Sequence, residues 1–219
     1  HIIEPQYTFC HESPGIDNAS IMKTADRLRT IRDTINDMEP QPDFVFVLGD
    51  VVHAAHHEQN AQWYQDNETA FSVASKIFSG FEMPVHYVFG NHDYEINCDV
   101  ARTSYPRSLT HQLFERFFKS KPYHAIEHKG WRFLATNGQL GNTWTVGHER
   151  CNTDLASYGQ EQLAWMATEL DKDQPTIVLS HYMRLVTAED EYPDGPHADF
   201  FSLIDSRSNI EAVLVGHTH

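Results

Sequence analysis

Short apolar runs, each ending in polar residues, recur along the chain. Phe44-Val45-Phe46-Val47-Leu48 leads into Gly49-Asp50, Val85-His86-Tyr87-Val88-Phe89 into Gly90-Asn91-His92-Asp93, Ile177-Val178-Leu179 into Ser180-His181, and Ala212-Val213-Leu214-Val215 into Gly216-His217-Thr218-His219. Continuous apolar runs of this length, bounded by turn signals, predict strands buried on both faces. Between them the period changes. Ile21, Met22, Ala25, Leu28, Ile31, Ile35 and Met38 follow one helical face over 17–38, with Asp17 or Asn18 to cap it and Pro40 and Pro42 to stop it. The spacing predicts further helices over 58–78, ending before Gly80, over 106–118, and over 160–170. Tyr123–Glu127 and Trp131–Thr136 flank His128-Lys129-Gly130 as a hairpin, which introduces antiparallel pairing. Residues 137–157 are polar and without a period, a loop that is either a lid or a surface excursion. Strand, helix, strand in succession is the right-handed crossover of an α/β domain.

Composition narrows this picture. At 219 residues, 40% of them hydrophobic, the chain suits one domain over 1–219 with a full core. No uninterrupted apolar stretch reaches the length needed to cross a bilayer, so no membrane role is expected. Against 16 basic residues stand 31 acidic ones, a formal net charge of −15, which disfavours nucleic acid as a partner. Three cysteines, Cys10, Cys98 and Cys151, are too few for a disulfide framework, and an odd number leaves at least one free. A reducing, cytoplasmic compartment is the expectation, with an exported form whose leader has been removed as the alternative.

The polar residues that end the strands carry the chemistry. If the strands are parallel neighbours, Asp50, Asn91, His92, His181, His217 and His219 converge on one rim of one sheet, where open α/β sheets bind ligands. Imidazoles, one carboxylate and one amide oxygen suit Zn, Fe or Mn. In an extended segment His217 and His219 point to the same side, roughly 6 to 7 Å apart at the backbone. That spacing lets them grip two neighbouring ions about 3.5 to 4 Å apart, which the carboxylate of Asp50 can bridge. A hydroxide between two such ions is a strong nucleophile at neutral pH, and the ions neutralise a phosphoryl group during in-line attack. His92 directly follows a ligand and precedes Asp93, which can orient its ring and raise its pKa, making it a proton donor to a leaving alkoxide. His53, His56 and His57 follow the first strand without regular spacing and read as loop residues, His53 being retained as a substrate contact. Arg184 reads as a surface residue, with contact to phosphate as the alternative.

Gly49-Asp50, Gly90-Asn91-His92-Asp93, the strand-terminal His181 and Gly216-His217-Thr218-His219, in this order, resemble the calcineurin-like metallophosphoesterases. Gly159-Gln160-Glu161-Gln162-Leu163-Ala164-Trp165 is similar to the helix that precedes the family's third motif strand. The resemblance implies a four-layer α/β/β/α sandwich of two mixed sheets flanked by helices, with a dinuclear centre at one rim. By position it implies that Asp50 bridges the ions, that His1 and His219 hold one, that Asn91, His181 and His217 hold the other, and that His92 is the acid or phosphate contact. Within the family the chain looks most like bacterial class III cyclic nucleotide phosphodiesterases and glycerophosphodiesterases. The family opens with Asp-x-His, of which only His1 stands here, and the chain stops at His219, so it reads as trimmed at both ends. The expectation is therefore a metal-dependent hydrolase of a small phosphate diester or monoester, homo-oligomeric or not. A non-catalytic scaffold on the same fold and a nuclease are the alternatives.

Overall fold

The apolar strands stack into layers. The structure, a computed structural model, describes residues 2–3, 23–182 and 200–217. On one side β1 (Ile2–Ile3) pairs in parallel with β3 (Val52–His53), and β2 (Val45–Leu48) pairs in parallel with β4 (Val85–Val88), Phe46 lying opposite His86. On the other side β5 (His124–His128), β6 (Trp131–Ala135), β7 (Thr176–Ser180) and β8 (Ile210–Val215) form a mixed four-stranded sheet in that order, with β5–β6 antiparallel and the other pairs parallel. Against the sequence expectation β8 is not buried on both faces, Val213 and Leu214 being exposed.

Alternate residues of one strand serve two different interfaces, because side chains leave a strand on opposite faces. Phe46, Leu48 and Val88 of the first pair pack against Phe133, Ala135, Ile177 and Leu179 of the mixed sheet, which makes the sheet-on-sheet layer. Phe44 closes it at one end, its ring centroid 5.0 Å from that of Phe46 and 5.3 Å from that of Phe133 in edge-to-face contact, each pair adding about 0.5–1.5 kcal/mol beyond area burial. The opposite faces carry Val47 and Tyr87 on one side and Val178 on the other into the larger core, shared with the helices. Those helices are α1 (Thr24–Asn36), α2 (Trp63–Asp66), α3 (Ala70–Phe78), α4 (Arg107–Phe118), α5 (Gln160–Leu170) and α6 (Phe200–Asp205). The architecture is the α/β/β/α sandwich.

Three sequence expectations change. The helix expected over 58–78 is two pieces, α2 and α3, because Asn67 is extended (φ −128°, ψ 142°) and Thr69 opens α3 with a capping box to Ser72. The strand ends do not lie on one sheet, since the apolar faces of β2 and β4 stack on β6 and β7 rather than pairing beside them. The cysteines are also not all reduced. Cys98 and Cys151 form a disulfide with their Cα atoms 5.5 Å apart, because the segments that carry them fold against each other. Closing a sequence separation of 53 residues is worth about 4 kcal/mol in the chain-entropy picture. Thiol titration of the unfolded, unreduced protein should find at most one thiol per chain against three after reduction. Three thiols before reduction would show the pair to be open.

Candidate active site

The turns after β2 and β4 meet, and glycine makes that meeting sterically feasible. Gly49 has φ +92°, and a Cβ there would collide with the ring of His181. At Gly90 a Cβ would collide with Asp50 itself, so the Gly-Asp and Gly-Asn-His-Asp motifs need their glycines for close approach as well as for turning. Asp50 (φ 56°) and His217 (φ 69°) hold left-handed backbone without being glycine, a strain that persists only where the surroundings enforce it. His217 is therefore not in an extended segment, and the strand spacing expected between it and His219 does not apply at this position.

Asp93 does the enforcing at Asp50. It is fully buried, and its carboxylate accepts backbone N–H bonds from Gly90 (2.8 Å), Asp50 (2.9 Å) and Val52 (3.0 Å). Those three amides belong to both turns, so one side chain fixes their separation. Adjacency in sequence predicts Asp93 as the orienter of the His92 ring; in the structure both Asp93 carboxylate oxygens serve the backbone instead. Burial and the neighbouring Asp50 charge push its pKa up against the pull of these amides.

Around this frame hydrogen-bond acceptors converge. The Nδ1 of His181 lies 2.6 Å from the carbonyl of Leu48, which can only accept, so Nδ1 carries the hydrogen and Nε2 is the atom left for coordination. Nε2 faces Asn91 Oδ1 at 3.0 Å and Asp50 Oδ2 at 3.2 Å, and His217 Nδ1 lies 3.1 Å from the same Asn91 oxygen. The other Asp50 oxygen takes the His92 backbone N–H at 2.9 Å. One ligand atom each from Asp50, His181 and His217 lies within 4.8 Å of the others. Carboxylate, amide oxygen and imidazole lone pairs aimed at one another repel unless a proton or a metal cation sits among them. The donor set fits a borderline divalent metal, and the buried, hydrogen-bonded ring of His181 is oriented as a ligand to such an ion would need to be. Burial alone would raise the Asp50 pKa and lower that of His181, but their mutual bond and charges outweigh it, holding Asp50 below and His181 above the ordinary values.

Beside the ligands opens a cleft of about 680 Å³, lined in part by Asn91, His92, His53, Tyr94, Trp144 and Arg102. The rings of His92 and His53 stack with centroids 4.0 Å apart. Burial first, and the adjacent His92 second, push His53 down to about 4, so it stays neutral at physiological pH. Tyr94 is anchored from behind by bonds to the amide of Asn137 (2.8 Å) and to His111 (2.9 Å). Tyr182, next to His181, donates to the carbonyl of Thr153 (2.7 Å) and lays its ring 4.6 Å from that of His217.

The structure thus brings together Asp50, Asn91, His92, Asp93, His181 and His217, from the rims of two facing sheets. His1, His219 and Arg184 lie outside the described residues. Sequence reasoning missed Arg102, Tyr94 and Trp144, which sit in aperiodic segments; the even number left when Cys10 is set aside was the one hint that two of those segments are joined.

The family model for calcineurin-like phosphoesterase matches residues 10–219. A manganese-dependent ADP-ribose/CDP-alcohol diphosphatase of Mus musculus is 23% identical over an alignment covering 84% of this chain, and the chain spans 65% of that protein's length. The crystal structure of a dimetal phosphatase from Danio rerio shares the fold, with a TM-score of 0.57 at 14% identity over 100% of this chain and 80% of that one. With a match across nearly its whole length and a cluster of candidate metal ligands at the motif positions, the chain belongs to the calcineurin-like phosphoesterases, a family of metal-dependent hydrolases.

Proposed function

We propose that the chain hydrolyses small phosphate diesters and phosphoanhydrides in preference to monoesters, at a centre of two metal ions drawn from Mn, Fe and Zn. The observation that carries this reading is the convergence of Asp50 Oδ2, Asn91 Oδ1, His181 Nε2 and His217 Nδ1 on one small volume beside an open cleft. The diphosphatase similarity supports the phosphoanhydride part of it. When bound, the ions supply an activated water and neutralise the phosphoryl oxygens.

The chain's own groups do the rest. Asp50, Asn91, His181 and His217 would hold metal at this rim, with His1 and His219 completing the set by family position. His92 stands at the cleft, its backbone tied to Asp50 and its ring stacked on a neutral His53, and delivers a proton to the leaving oxygen. The net charge of −15 favours a small substrate over nucleic acid, and the Cys98–Cys151 bond favours an oxidising compartment over the cytoplasm.

Elemental analysis together with hydrolysis of bis(p-nitrophenyl) phosphate in Mn²⁺ tests the reading. Two ions per chain with metal-dependent turnover are expected. Asn91→Ala, which removes the oxygen facing both His181 and His217, should weaken metal retention by about 10- to 100-fold and lower turnover with it. A protein without bound metal and without hydrolysis overturns the proposal.

A further inference from the structure

Much of the cleft's lining comes from two loops, and their construction exceeds what a surface excursion needs. The first loop is closed at its base by Tyr105 N–H on the Glu95 carbonyl (2.9 Å) and by Asn97 N–H on Ser104 Oγ (2.8 Å). Its tip is a turn in which Asp99 accepts from Ala101 N–H through its side chain (3.0 Å) and from Arg102 N–H through its carbonyl (2.9 Å). The second loop is pinned by Asn152 N–H on the Thr143 carbonyl (2.9 Å), Trp144 Nε1 on the Leu155 carbonyl (2.9 Å) and Tyr182 Oη on the Thr153 carbonyl (2.7 Å). The Cys98–Cys151 bond then joins the two loops covalently. Asn97, Ala101, Arg102 and Thr103 from one, and Trp144, Thr153 and Asp154 from the other, line the same cleft as Asn91 and His92.

The charges on this wall differ in what they can do. Glu95 and Asp154 are acidic, and burial pushes Glu95 upward, toward its neutral form. Arg102 is the one arginine or lysine among the described residues that line the cleft, and it stands on the cross-linked arm. A guanidinium offers a planar fork of donors that matches phosphate oxygens, and a side chain on a pre-ordered loop gives up less entropy on binding than one on a free loop.

We propose that this wall is a subsite for the non-reacting part of the substrate, with Arg102 as the specificity-determining contact for a second phosphoryl group and the Cys98–Cys151 bond as the element that positions it. The inference rests on the phosphoesterase reading and narrows it to small molecules carrying two linked phosphoryl groups, of which one is attacked beside the metal ligands and the other is held by Arg102.

The test compares two probes, ADP-ribose with two phosphoryl groups and bis(p-nitrophenyl) phosphate with one, on the intact protein with Mn²⁺. Arg102→Ala should raise KM for ADP-ribose about tenfold more than for bis(p-nitrophenyl) phosphate, the loss of one charge-assisted contact, with the difference in KM and not in kcat. Arg102→Lys should recover part of it. Opening the bond with reductant, or in Cys98→Ser/Cys151→Ser, should move the same ratio in the same direction. Hydrolysis of both probes with Arg102→Ala raising both KM values equally overturns the inference and leaves the phosphoesterase reading standing. If the unaltered protein hydrolyses neither probe, both fall.

Discussion

His92→Ala is expected to lower turnover by about 10²- to 10⁴-fold on substrates with poor leaving groups while leaving metal content near that of the unaltered protein. His92 contributes separately through its backbone and its ring. Its backbone N–H holds Asp50 Oδ1 at 2.9 Å, and alanine retains that amide, so the carboxylate keeps its place. Its ring lines the cleft and stacks on His53, and alanine removes only this. A leaving alkoxide of high pKa needs a proton as the bond to phosphorus breaks, whereas p-nitrophenolate departs without one. The deficit should therefore shrink as the leaving group improves. Turnover measured across a series of leaving groups checks this, and an equal loss across the series would falsify the proton-donor role. His53, held neutral by burial, does not add a second charge beside the ring it supports.

Asp93→Ala is expected to be the most destabilising single change at the site, by roughly 3–5 kcal/mol, because it strands three buried backbone N–H groups at once. In a chain of this size that lowers the melting temperature by roughly 10 °C, which thermal unfolding of the metal-free protein would reveal. Working without metal separates the frame from the ions it positions. Asp93→Asn should cost less, since its one carbonyl oxygen can still accept from Gly90 and Asp50 while the amide nitrogen faces Val52 N–H. A melting temperature unchanged in Asp93→Ala would mean that the turns after β2 and β4 are held by something else. The adjacency of Asp93 to His92 is visible in the sequence. A carboxylate that reaches 43 residues back to Asp50 N–H is not.

Much of the fold was legible because it follows from local pattern. Strands β2 and β4 fall within their apolar runs, β7 and β8 contain theirs and extend beyond them, α4 and α5 lie within the predicted spans, and β5–β6 forms the expected antiparallel hairpin. The break between α2 and α3 was not legible from apolar spacing. Trp63, Phe71 and Phe78 keep a helical rhythm across it, while the extended Asn67 and the Thr69 cap interrupt the backbone. The 137–157 segment had no period to read, and the structure puts Trp144, Thr153 and Asp154 from it into the cleft.

By itself the sequence determined that Asp50, Asn91, His181 and His217 carry ligand-type side chains just beyond apolar runs, because side-chain chemistry and the end of an apolar run are local properties. It also determined the need for Gly49 and Gly90, although not the reason. Only the tertiary structure decided that the ligands come from two facing sheets, that Asp93 ties the turns together, and that Cys98 meets Cys151 across the cleft wall. Those facts depend on which apolar faces stack and which distant backbone amides find an acceptor. Such choices are made by burial summed over the whole chain, and no local stretch encodes them.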